Sequence, residues 1–226
     1  MKKVAVLFSG AKDSTFAIYK ALAMGYDVKY LITFIPDNAH SDFFHEPNIK
    51  WTELQAKAIG IPLIKKEIPE NVKKEDAMKM AVKSLETEID GIVSGIIEDR
   101  EKRMVMDRVC KTLGIEFISP HWQRSMRQYL EEMIFLGFDV IITYVANEGF
   151  EQNWLGRRLD LDAIKELQSL SEKHGIHKGG EAGEYKSFVL DGPIFTRRLK
   201  ILKARKEWNG VRGVYIIDDA ELVDKD

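Results

Sequence analysis

The 226-residue chain has 45% hydrophobic residues and a formal net charge of −2, from 34 basic and 36 acidic side chains. This balance excludes an overall field that draws the chain to nucleic acid, and a single cysteine excludes a disulfide framework or a four-cysteine metal site. The longest apolar runs are far shorter than a signal-peptide core or a membrane span of roughly 20 residues. We therefore expect a soluble, cytoplasmic globular protein with one large domain or two modest ones.

Strand and helix patterns alternate along the first half of the chain. A short apolar run predicts a buried strand at 4–8, and further strands are predicted at 28–34, 62–68, 90–94 and 115–119. Apolar residues at helical spacing predict helices at 13–24, 47–59, 72–86 and 101–113. This alternation predicts a parallel sheet with right-handed crossovers and ligand-binding loops at the carboxyl ends of its strands. Thr33, Phe34, Ser94 and Gly95 follow or end such strands, so we expect them at that edge.

The pattern changes near residue 125 to a mixture of helices and strands. A helix is predicted from about residue 126 and another at 162–174, and a Gly-rich loop at 175–185. The predicted strands are at 140–145, 187–190, 199–208 and 211–217. Asn209-Gly210 between the last two predicts a type I′ hairpin turn. The sequence thus predicts an α/β, parallel-sheet, Rossmann-like N-terminal domain (1–125) and a smaller α+β C-terminal domain (126–226).

The loop after the first strand, Ser9 to Ser14, contains the residue types of a phosphate site. Gly10 permits a tight turn, the helix that follows has the positive end of its dipole at the loop, and Lys12 can neutralise a phosphate. Ser9 and Ser14 can add hydroxyl donors. The pattern is neither G-x-x-x-x-G-K-[ST] nor G-x-G-x-x-G, and a simple helix cap by Ser9 or Asp13 is the alternative interpretation.

A second candidate site is the segment GGEAGEY at 179–185. Glu181 and Glu184 lie three residues apart among glycines, which allow backbone and carboxylates to approach a ligand closely. The two acids could position ammonia, hold Mg²⁺ or accept a proton. A solvated turn with two exposed acids is the alternative.

Six segments together resemble the diphthine–ammonia ligase family of the PP-loop ATP pyrophosphatase superfamily. The segments are SGAKDS at 9–14, FFHEPN at 43–48, VSGIIEDREKRMVMDRVCKTLGI at 93–115, SPHW at 119–122, WLGRRLD at 154–160 and GGEAGEYKSFVLDGPIF at 179–195. They occur in the family's order and span nearly the whole chain. The resemblance implies a PP-loop ATP-binding domain of adenine nucleotide α-hydrolase (HUP) type, followed by an acceptor-substrate domain.

The implied reaction is the ATP-dependent amidation of diphthine on translation elongation factor 2, which yields diphthamide, AMP and pyrophosphate. ATP and Mg²⁺ are the implied cofactors. The diphthine carboxylate attacks the α-phosphorus of ATP, and ammonia then displaces AMP. No glutaminase signature is visible, so free ammonium is the expected nitrogen source.

The resemblance also assigns the nucleotide side of the site. Ser9, Gly10, Lys12, Asp13 and Ser14 match the pyrophosphate loop, in which Lys12 stabilises the leaving group and Asp13 holds Mg²⁺. Ala11 replaces the usual second glycine, at a cost of about 1 kcal/mol if its φ must be positive. The match also implies nucleotide-side roles for His45, Asn48, Ser94 and Gly95, and Thr33 and Phe34 are expected to bind the nucleotide from their place at the same edge of the sheet.

The acceptor side is assigned in the same way. Glu181, Gly183, Glu184 and Tyr185 match the second family signature, with Ala182 at a position usually held by Gly or another small residue. Glu181 and Glu184 are both candidates to orient ammonia or take its proton, and the choice stays open. Asp99 and Arg103 are expected to reach the α-phosphate or the acceptor, or else to form an exposed helix start.

Two other functions remain as alternatives. A tRNA-modifying PP-loop enzyme such as a thiolase would activate a base by adenylation, but it usually needs a reactive cysteine or an Fe–S cluster. Cys110 lies at helical spacing with Val109 and Leu113, which predicts a core position. The other alternative is a non-catalytic nucleotide-binding module. Membrane association is not expected, nucleic acid is an unlikely partner, and a homo-oligomer stays open.

Overall fold

The computed structural model describes residues 1–36, 48–68, 72, 74–85 and 87–225. The chain forms two compact units. The first contains Met1–Ser9, Asp13–Thr52 and Ile61–Trp122, and the second contains Gly10–Lys12, Glu53–Gly60 and Gln123–Asp226. Two short segments from the first half of the chain thus group with the second unit. The division into domains 1–125 and 126–226 stays a prediction.

The first unit contains a five-stranded sheet in the order β3-β2-β1-β4-β5, and every neighbouring pair is parallel. Its strands are β1 Lys3–Leu7, β2 Asp27–Pro36, β3 Leu63–Ile68, β4 Gly91–Val93 and β5 Glu116–Ile118. After β1 the chain builds the sheet outward on one side, and from β4 it builds on the other. The strand order therefore reverses between β1 and β4, and open α/β sheets bind ligands at such a switch point, beyond the carboxyl ends of the strands.

Four helices connect these strands in chain order. They are α1 Lys12–Ala23, α2 Thr52–Ile59 after a 3₁₀ turn at Ile49–Trp51, α3 Lys74–Lys83 and α4 Arg100–Leu113. Apolar side chains at helical spacing on α1, such as Ala17 and Ala21, are fully buried. In a core cluster of the first unit, Met106 and Cys110 of α4 pack with Ala5 and Ile92 from the strands. The parallel α/β sheet predicted from the alternating pattern is confirmed.

The second unit has a separate four-stranded sheet in the order β7-β6-β9-β8, with antiparallel neighbours. Its elements are the helices α5 Met126–Phe135 and α6 Leu161–His174 and the strands β6 Asp139–Val145, β7 Tyr185–Asp191, β8 Arg198–Trp208 and β9 Gly213–Val223. This confirms the predicted α+β class. None of the helices in the described part of the chain is long and apolar enough to cross a membrane.

The turn that joins β8 to β9 differs from its prediction. A type I′ turn needs positive φ at both central residues, but Asn209 is not among the residues with positive φ, whereas Gly210 has a φ of 96°. The Asn209 side chain instead accepts hydrogen bonds from the backbone N–H groups of Val211 (3.1 Å) and Arg212 (2.8 Å). The predicted hairpin is present, but the type I′ prediction is wrong. The side chain of Asn209 closes the loop instead.

Candidate functional site

The end of β1 and the start of α1 are tied together by hydroxyl groups in the first unit. The backbone N–H of Ser9 donates to Ser14 Oγ at 3.2 Å, and the two serine hydroxyls lie 3.3 Å apart. Thr33 Oγ1 on β2 donates to the carbonyl of Phe8 at 2.7 Å, which holds the last residue before the loop. These three predicted site residues therefore position the first and last residues of the loop at the carboxyl edge of the sheet.

The turn after β4 packs against the start of α1, also in the first unit. A Cβ added to Gly95 would lie 2.5 Å from the carbonyl carbon and oxygen of Asp13 and 2.8 Å from the backbone nitrogen of Ser14. Only a residue without a side chain fits at this distance. Ser94 is buried, and its N–H donates to the carbonyl of Ile118 at 2.9 Å. The predicted residues after β1 and β4 thus meet at the switch point of the sheet.

The middle of the loop is held by contacts inside the second unit. The carbonyl of Gly10 accepts hydrogen bonds from Gln55 Nε2 at 2.9 Å and from the N–H of Val189 at 3.1 Å. The N–H of Lys12 donates to Ser187 Oγ at 3.2 Å. Gly10 has a φ of 79°, and a Cβ there would overlap Gln55 Oε1. Glycine is required at this position for both reasons.

Gln55 is a site residue that the sequence did not predict. Its side chain is fully buried on α2, and Nε2 also donates to the carbonyl of Val189 at 2.7 Å. It thereby fixes both the loop and β7, the strand that follows the Gly-rich segment. Its residue type and its place in a helix with apolar neighbours gave no signal for this role.

Lys12 brings the two predicted motifs together within the second unit. Its side chain is only 2% exposed, and Nζ donates to the carbonyl of Gly179 at 2.6 Å, a residue 167 positions further along the chain. Nζ also lies 5.1 Å from the centroid of the Tyr185 ring. The Tyr185 hydroxyl donates to the carbonyl of Lys178 at 2.9 Å, which fixes the ring against the loop. The lysine of the predicted pyrophosphate loop therefore lies against the Gly-rich motif.

The two glutamates of the Gly-rich motif differ in their surroundings. Glu184 is buried, with 9% of its surface exposed, and Oε1 accepts a hydrogen bond from the N–H of His177 at 2.7 Å. Its other oxygen, Oε2, is buried and has no hydrogen-bond partner among the described residues. Glu181 is half-buried. The alternative of two exposed acids is therefore wrong for Glu184, whose buried, unsatisfied oxygen can accept a donor.

His177 organises the loop that contains both glutamates. Its Nδ1 accepts hydrogen bonds from the N–H groups of Gly179 (3.2 Å) and Glu181 (3.3 Å). Gly183 takes a φ of 97°, and its N–H donates to the carbonyl of Gly180 at 3.1 Å. These contacts give His177 a structural role in the loop.

The two alanines at positions expected to be glycine have ordinary backbone conformations. Among the residues that the structure describes, Gln123 is the only non-glycine residue with positive φ. Ala11 and Ala182 therefore avoid the penalty of about 1 kcal/mol that a left-handed conformation would impose on a Cβ.

The residues after the Ser94-Gly95 turn begin α4. Asp99 is its N-cap and accepts a hydrogen bond from the N–H of Lys102 at 2.9 Å. Burial raises the pKa of Asp99, but the hydrogen bonds and the charge of Lys102 outweigh it, and the net pKa is lowered. The guanidinium of Arg103 lies 4.4 Å from the centroid of Trp122. Asp99 thus serves the helix start, and its predicted contact with substrate remains untested.

The other predicted nucleotide residues occupy different surroundings. Asn48 is buried, and its side chain makes no capping hydrogen bond to the 3₁₀ turn that follows within the described segment 48–68. Phe34 is partly buried and packs on the core cluster that contains Ile92. His45 lies outside the described residues.

Cys110 lies in the core of the first unit. Its side chain is 1% exposed, and burial raises the pKa of the thiol from 9.0 to about 12. The thiolate is the reactive form of cysteine, so this side chain is protonated and inert at neutral pH. The predicted core position is confirmed, and it removes the reactive thiol that a cysteine-dependent thiolase needs.

Comparisons with known proteins found family models that match both halves of the chain. A family model described as "Diphthamide synthase N-terminal domain" matches residues 2–117, and one described as "Diphthamide synthase C-terminal domain" matches residues 125–223. The relatives named "Diphthine--ammonia ligase" include a Bos taurus protein that is 31% identical over 220 residues, which cover 87% of this chain and 82% of the relative. The Homo sapiens protein of that name is 30% identical, with the same coverage. The Schizosaccharomyces pombe protein of that name is 28% identical, and the match covers 87% of this chain but 36% of that longer protein.

Proposed function

The chain belongs to the diphthamide synthase family, as its six sequence segments predicted, and we propose that it is the AMP-forming ligase that joins ammonia to the diphthine of translation elongation factor 2. Family membership identifies it as an ATP-using enzyme of the diphthine–ammonia ligase type. The acceptor protein, the chemical route and the residue roles are the content of the proposal.

The observation that carries the proposal is the hydrogen bond of 2.6 Å from Lys12 Nζ to the carbonyl of Gly179. Lys12 belongs to the loop that would bind the pyrophosphate of ATP, and Gly179 belongs to the loop that would define the acceptor. A ligase that activates one substrate and then joins it to another needs both functions within reach of one reacting centre. The contact supplies this proximity from within the second unit.

The reaction proceeds in two steps. An oxygen of the diphthine carboxylate bonds to the α-phosphorus of ATP while the bond from that phosphorus to the pyrophosphate oxygen breaks, and pyrophosphate leaves. The nitrogen of ammonia then bonds to the acyl carbon, the bond from that carbon to the AMP oxygen breaks, and AMP and one proton are released. A free carboxylate is too poor an electrophile for ammonia, and the mixed anhydride with AMP provides a good leaving group.

The Ser9–Ser14 loop would stabilise the leaving pyrophosphate. Lys12 supplies a positive charge, and α1 starts at this loop with the positive end of its dipole. Gly10 has a positive φ, and Gly95 approaches the start of α1 closely. Neither residue has a side chain that would fill the space for a phosphate. Ser94 and Gly95 after β4, and Thr33, Phe34 and Asn48, would form the nucleotide side.

Asp13 would hold Mg²⁺ together with phosphate oxygens. No group of three or more His, Cys, Asp or Glu side chains suited to a metal occurs among the described residues. A single carboxylate such as that of Asp13, together with phosphate oxygens, is a donor set of the kind that Mg²⁺ commonly uses. When bound, the ion would neutralise charge on the leaving pyrophosphate.

Glu184 is the better candidate of the two glutamates for handling ammonia. It is buried, and its Oε2 has no hydrogen-bond partner among the described residues. This oxygen can therefore accept an N–H from an incoming nitrogen. Glu181 is more exposed and would face the acceptor with Gly183. Removal of a proton from the attacking nitrogen by a carboxylate is ordinary general-base catalysis.

The test is the dependence of AMP formation on each substrate. Purified protein should convert ATP to AMP and pyrophosphate when ammonium and diphthine-bearing elongation factor 2 are both present, and omission of either should prevent turnover to diphthamide. Lys12→Ala should lower that turnover by at least 100-fold because it removes the charge that stabilises the leaving group. Lys20→Ala on the same helix is the matched control and should retain turnover.

Two results would contradict the proposal. One is ADP instead of AMP as the nucleotide product, and the other is unchanged turnover in the Lys12→Ala protein. AMP formation driven by tRNA, with no response to the elongation factor, would favour the tRNA-modifying alternative.

A further inference from the structure

We infer that the Gly179 carbonyl and the Tyr185 ring form the binding site for the ammonium substrate, and that Lys12 occupies this site until a nucleotide draws it away. We call this pair the ammonium cradle. The inference rests on the proposed function, and it adds the location of the nitrogen substrate and the order in which substrates bind.

The group that occupies the cradle has the chemistry of the proposed substrate. Lys12 ends in an ammonium group, whose nitrogen lies 2.6 Å from the carbonyl oxygen of Gly179 and 5.1 Å from the centroid of the Tyr185 ring. A carbonyl oxygen accepts an N–H, and the face of an aromatic ring attracts a cation through its quadrupole. Both contacts are equally available to a free ammonium ion, which is a cation with N–H donors on every side.

The surroundings of the cradle favour a small cation. Tyr185 is 2% exposed and Lys12 is 2% exposed, so the contact is shielded from bulk water, which strengthens cation–π attraction. The burial of Tyr185 and its hydroxyl bond to the carbonyl of Lys178 together fix the ring. The ring is therefore held in place for whichever cation lies against it.

Glu184 adds an acceptor to the same loop. It directly precedes Tyr185, and its buried Oε2 has no hydrogen-bond partner among the described residues. A buried acceptor of this kind is costly unless a donor reaches it. Ammonium has four N–H donors, more than the three of a lysine side chain, and can leave one proton to a carboxylate when it becomes the nucleophile.

Lys12 and ammonium cannot occupy the cradle at the same time. The phosphates of ATP attract Lys12, and movement of its side chain to them vacates the Gly179 carbonyl. Ammonium should therefore bind more tightly after ATP than before it. With this order of binding, ammonium is held at the site only when ATP is present to activate the acceptor.

The decisive experiment measures the Michaelis constants for ammonium and ATP in variants at Tyr185. Tyr185→Leu removes the aromatic face, and it should raise the KM for ammonium at least tenfold while it changes the KM for ATP by less than threefold. Tyr185→Phe keeps the ring and should restore most of the ammonium affinity. Tyr144→Leu is the matched control, because Tyr144 lies on the same sheet with Lys186 at 5.6 Å from its ring but does not line the cradle.

A second measurement uses the unaltered protein, in case Tyr185→Leu does not fold. Methylammonium reproduces the Cε–Nζ end of Lys12, so it should compete with ammonium and raise its apparent KM at least fivefold, whereas sodium chloride of equal ionic strength should not. Absence of competition, or an unchanged ammonium KM in a folded Tyr185→Leu protein, would overturn the inference. Failure of the proposed function is distinguishable, because the unaltered protein would then form no AMP in response to ammonium and the elongation factor.

Discussion

Lys12 has two competing partners in this account, a backbone carbonyl in the structure and a phosphate in the reaction. The bond to the Gly179 carbonyl satisfies the lysine while its side chain is buried, because a buried ammonium without a partner would be very costly. A charge-assisted bond to phosphate is stronger than one to a neutral carbonyl, so ATP can displace the first partner. One residue can thus link nucleotide binding to the state of the Gly-rich loop.

Replacement of Cys110 by alanine tests the thiolase alternative at the scale of one residue. The thiol is buried in the α4 core cluster, and its raised pKa keeps it protonated at neutral pH. Cys110→Ala should therefore keep the rate of AMP formation within twofold of the unaltered protein, with a stability loss of about 1 kcal/mol from the small cavity. A loss of AMP formation in a folded variant would restore the alternative.

The same thiol predicts a dependence of stability on pH. Its pKa is about 12 in the folded chain against 9.0 as the reference value, so the folded state binds the proton more tightly. This contribution to stability is fully present below pH 9 and is lost as the pH rises from 9 to 12. Between pH 8 and 10.5, urea unfolding should show that the unaltered protein loses about 2 kcal/mol more than Cys110→Ala does. Equal losses in the two proteins would show that the thiol is not desolvated.

Residue types in the sequence indicated most of the candidate site but not all of it. Lys12, Glu184 and Tyr185 belong to motifs whose chemistry or family match marks them. Gln55 acts through a fully buried amide that binds the carbonyls of Gly10 and Val189, and both partners are distant in the chain. Such a role follows from three-dimensional packing alone, which no local pattern encodes.

At the scale of elements, the turn after β4 approaches the start of α1 closely, and we propose that this approach shapes the nucleotide side. A Cβ at Gly95 would lie 2.5 Å from backbone atoms of Asp13, which cannot move without displacing the helix. Gly95→Ala should therefore raise the KM for ATP at least tenfold. Gly25→Ala, after the other end of α1, has open space around its Cβ, and it should cost only about 1 kcal/mol of stability for its positive φ, with no change in that KM. If both variants bind ATP normally, the turn after β4 does not shape the site.

The attachment of α2 to the loop and to β7 makes a second prediction at this scale. Gln55→Leu keeps the approximate volume of the side chain but removes both donors. The carbonyl of Gly10 keeps its hydrogen bond from the N–H of Val189, so we expect a total cost of about 1–3 kcal/mol. We expect a lower unfolding free energy and a raised KM for ATP. Gln168→Leu on α6, where the amide donates to the more exposed Glu172, is the matched control and should change neither quantity. An unchanged ATP KM in a folded Gln55→Leu protein would exclude a positioning role.

The elements themselves were largely predictable because their signals are local. Apolar residues in short runs and at helical spacing placed most of the parallel strands and their helices within a few residues, as for β1, whose centre is an apolar and fully buried run. The exception was the Asn209-Gly210 turn, where a side-chain hydrogen bond replaced the backbone conformation that the dipeptide favours. The grouping of Gly10–Lys12 with the second unit also depends on partners far away in sequence.

At the scale of the whole molecule, the chain contains a parallel α/β unit and an antiparallel α+β unit. The first provides the switch point at which open α/β sheets bind ligands. The second contains the Gly-rich loop together with Gly10–Lys12, the middle of the proposed pyrophosphate loop. The central claim that follows is that the acceptor carboxylate itself attacks the α-phosphorus of ATP.

The most direct test of that claim traces oxygen from the acceptor carboxylate to its products. Elongation factor 2 with ¹⁸O in the diphthine carboxylate would be turned over with unlabelled ATP and ammonium, and AMP and pyrophosphate would be examined by mass spectrometry. Attack at the α-phosphorus predicts one ¹⁸O atom in AMP, because the bond from the acyl carbon to that oxygen is the one that breaks, and none in pyrophosphate. Label in inorganic phosphate with ADP as the nucleotide product, or AMP without label, would contradict the account.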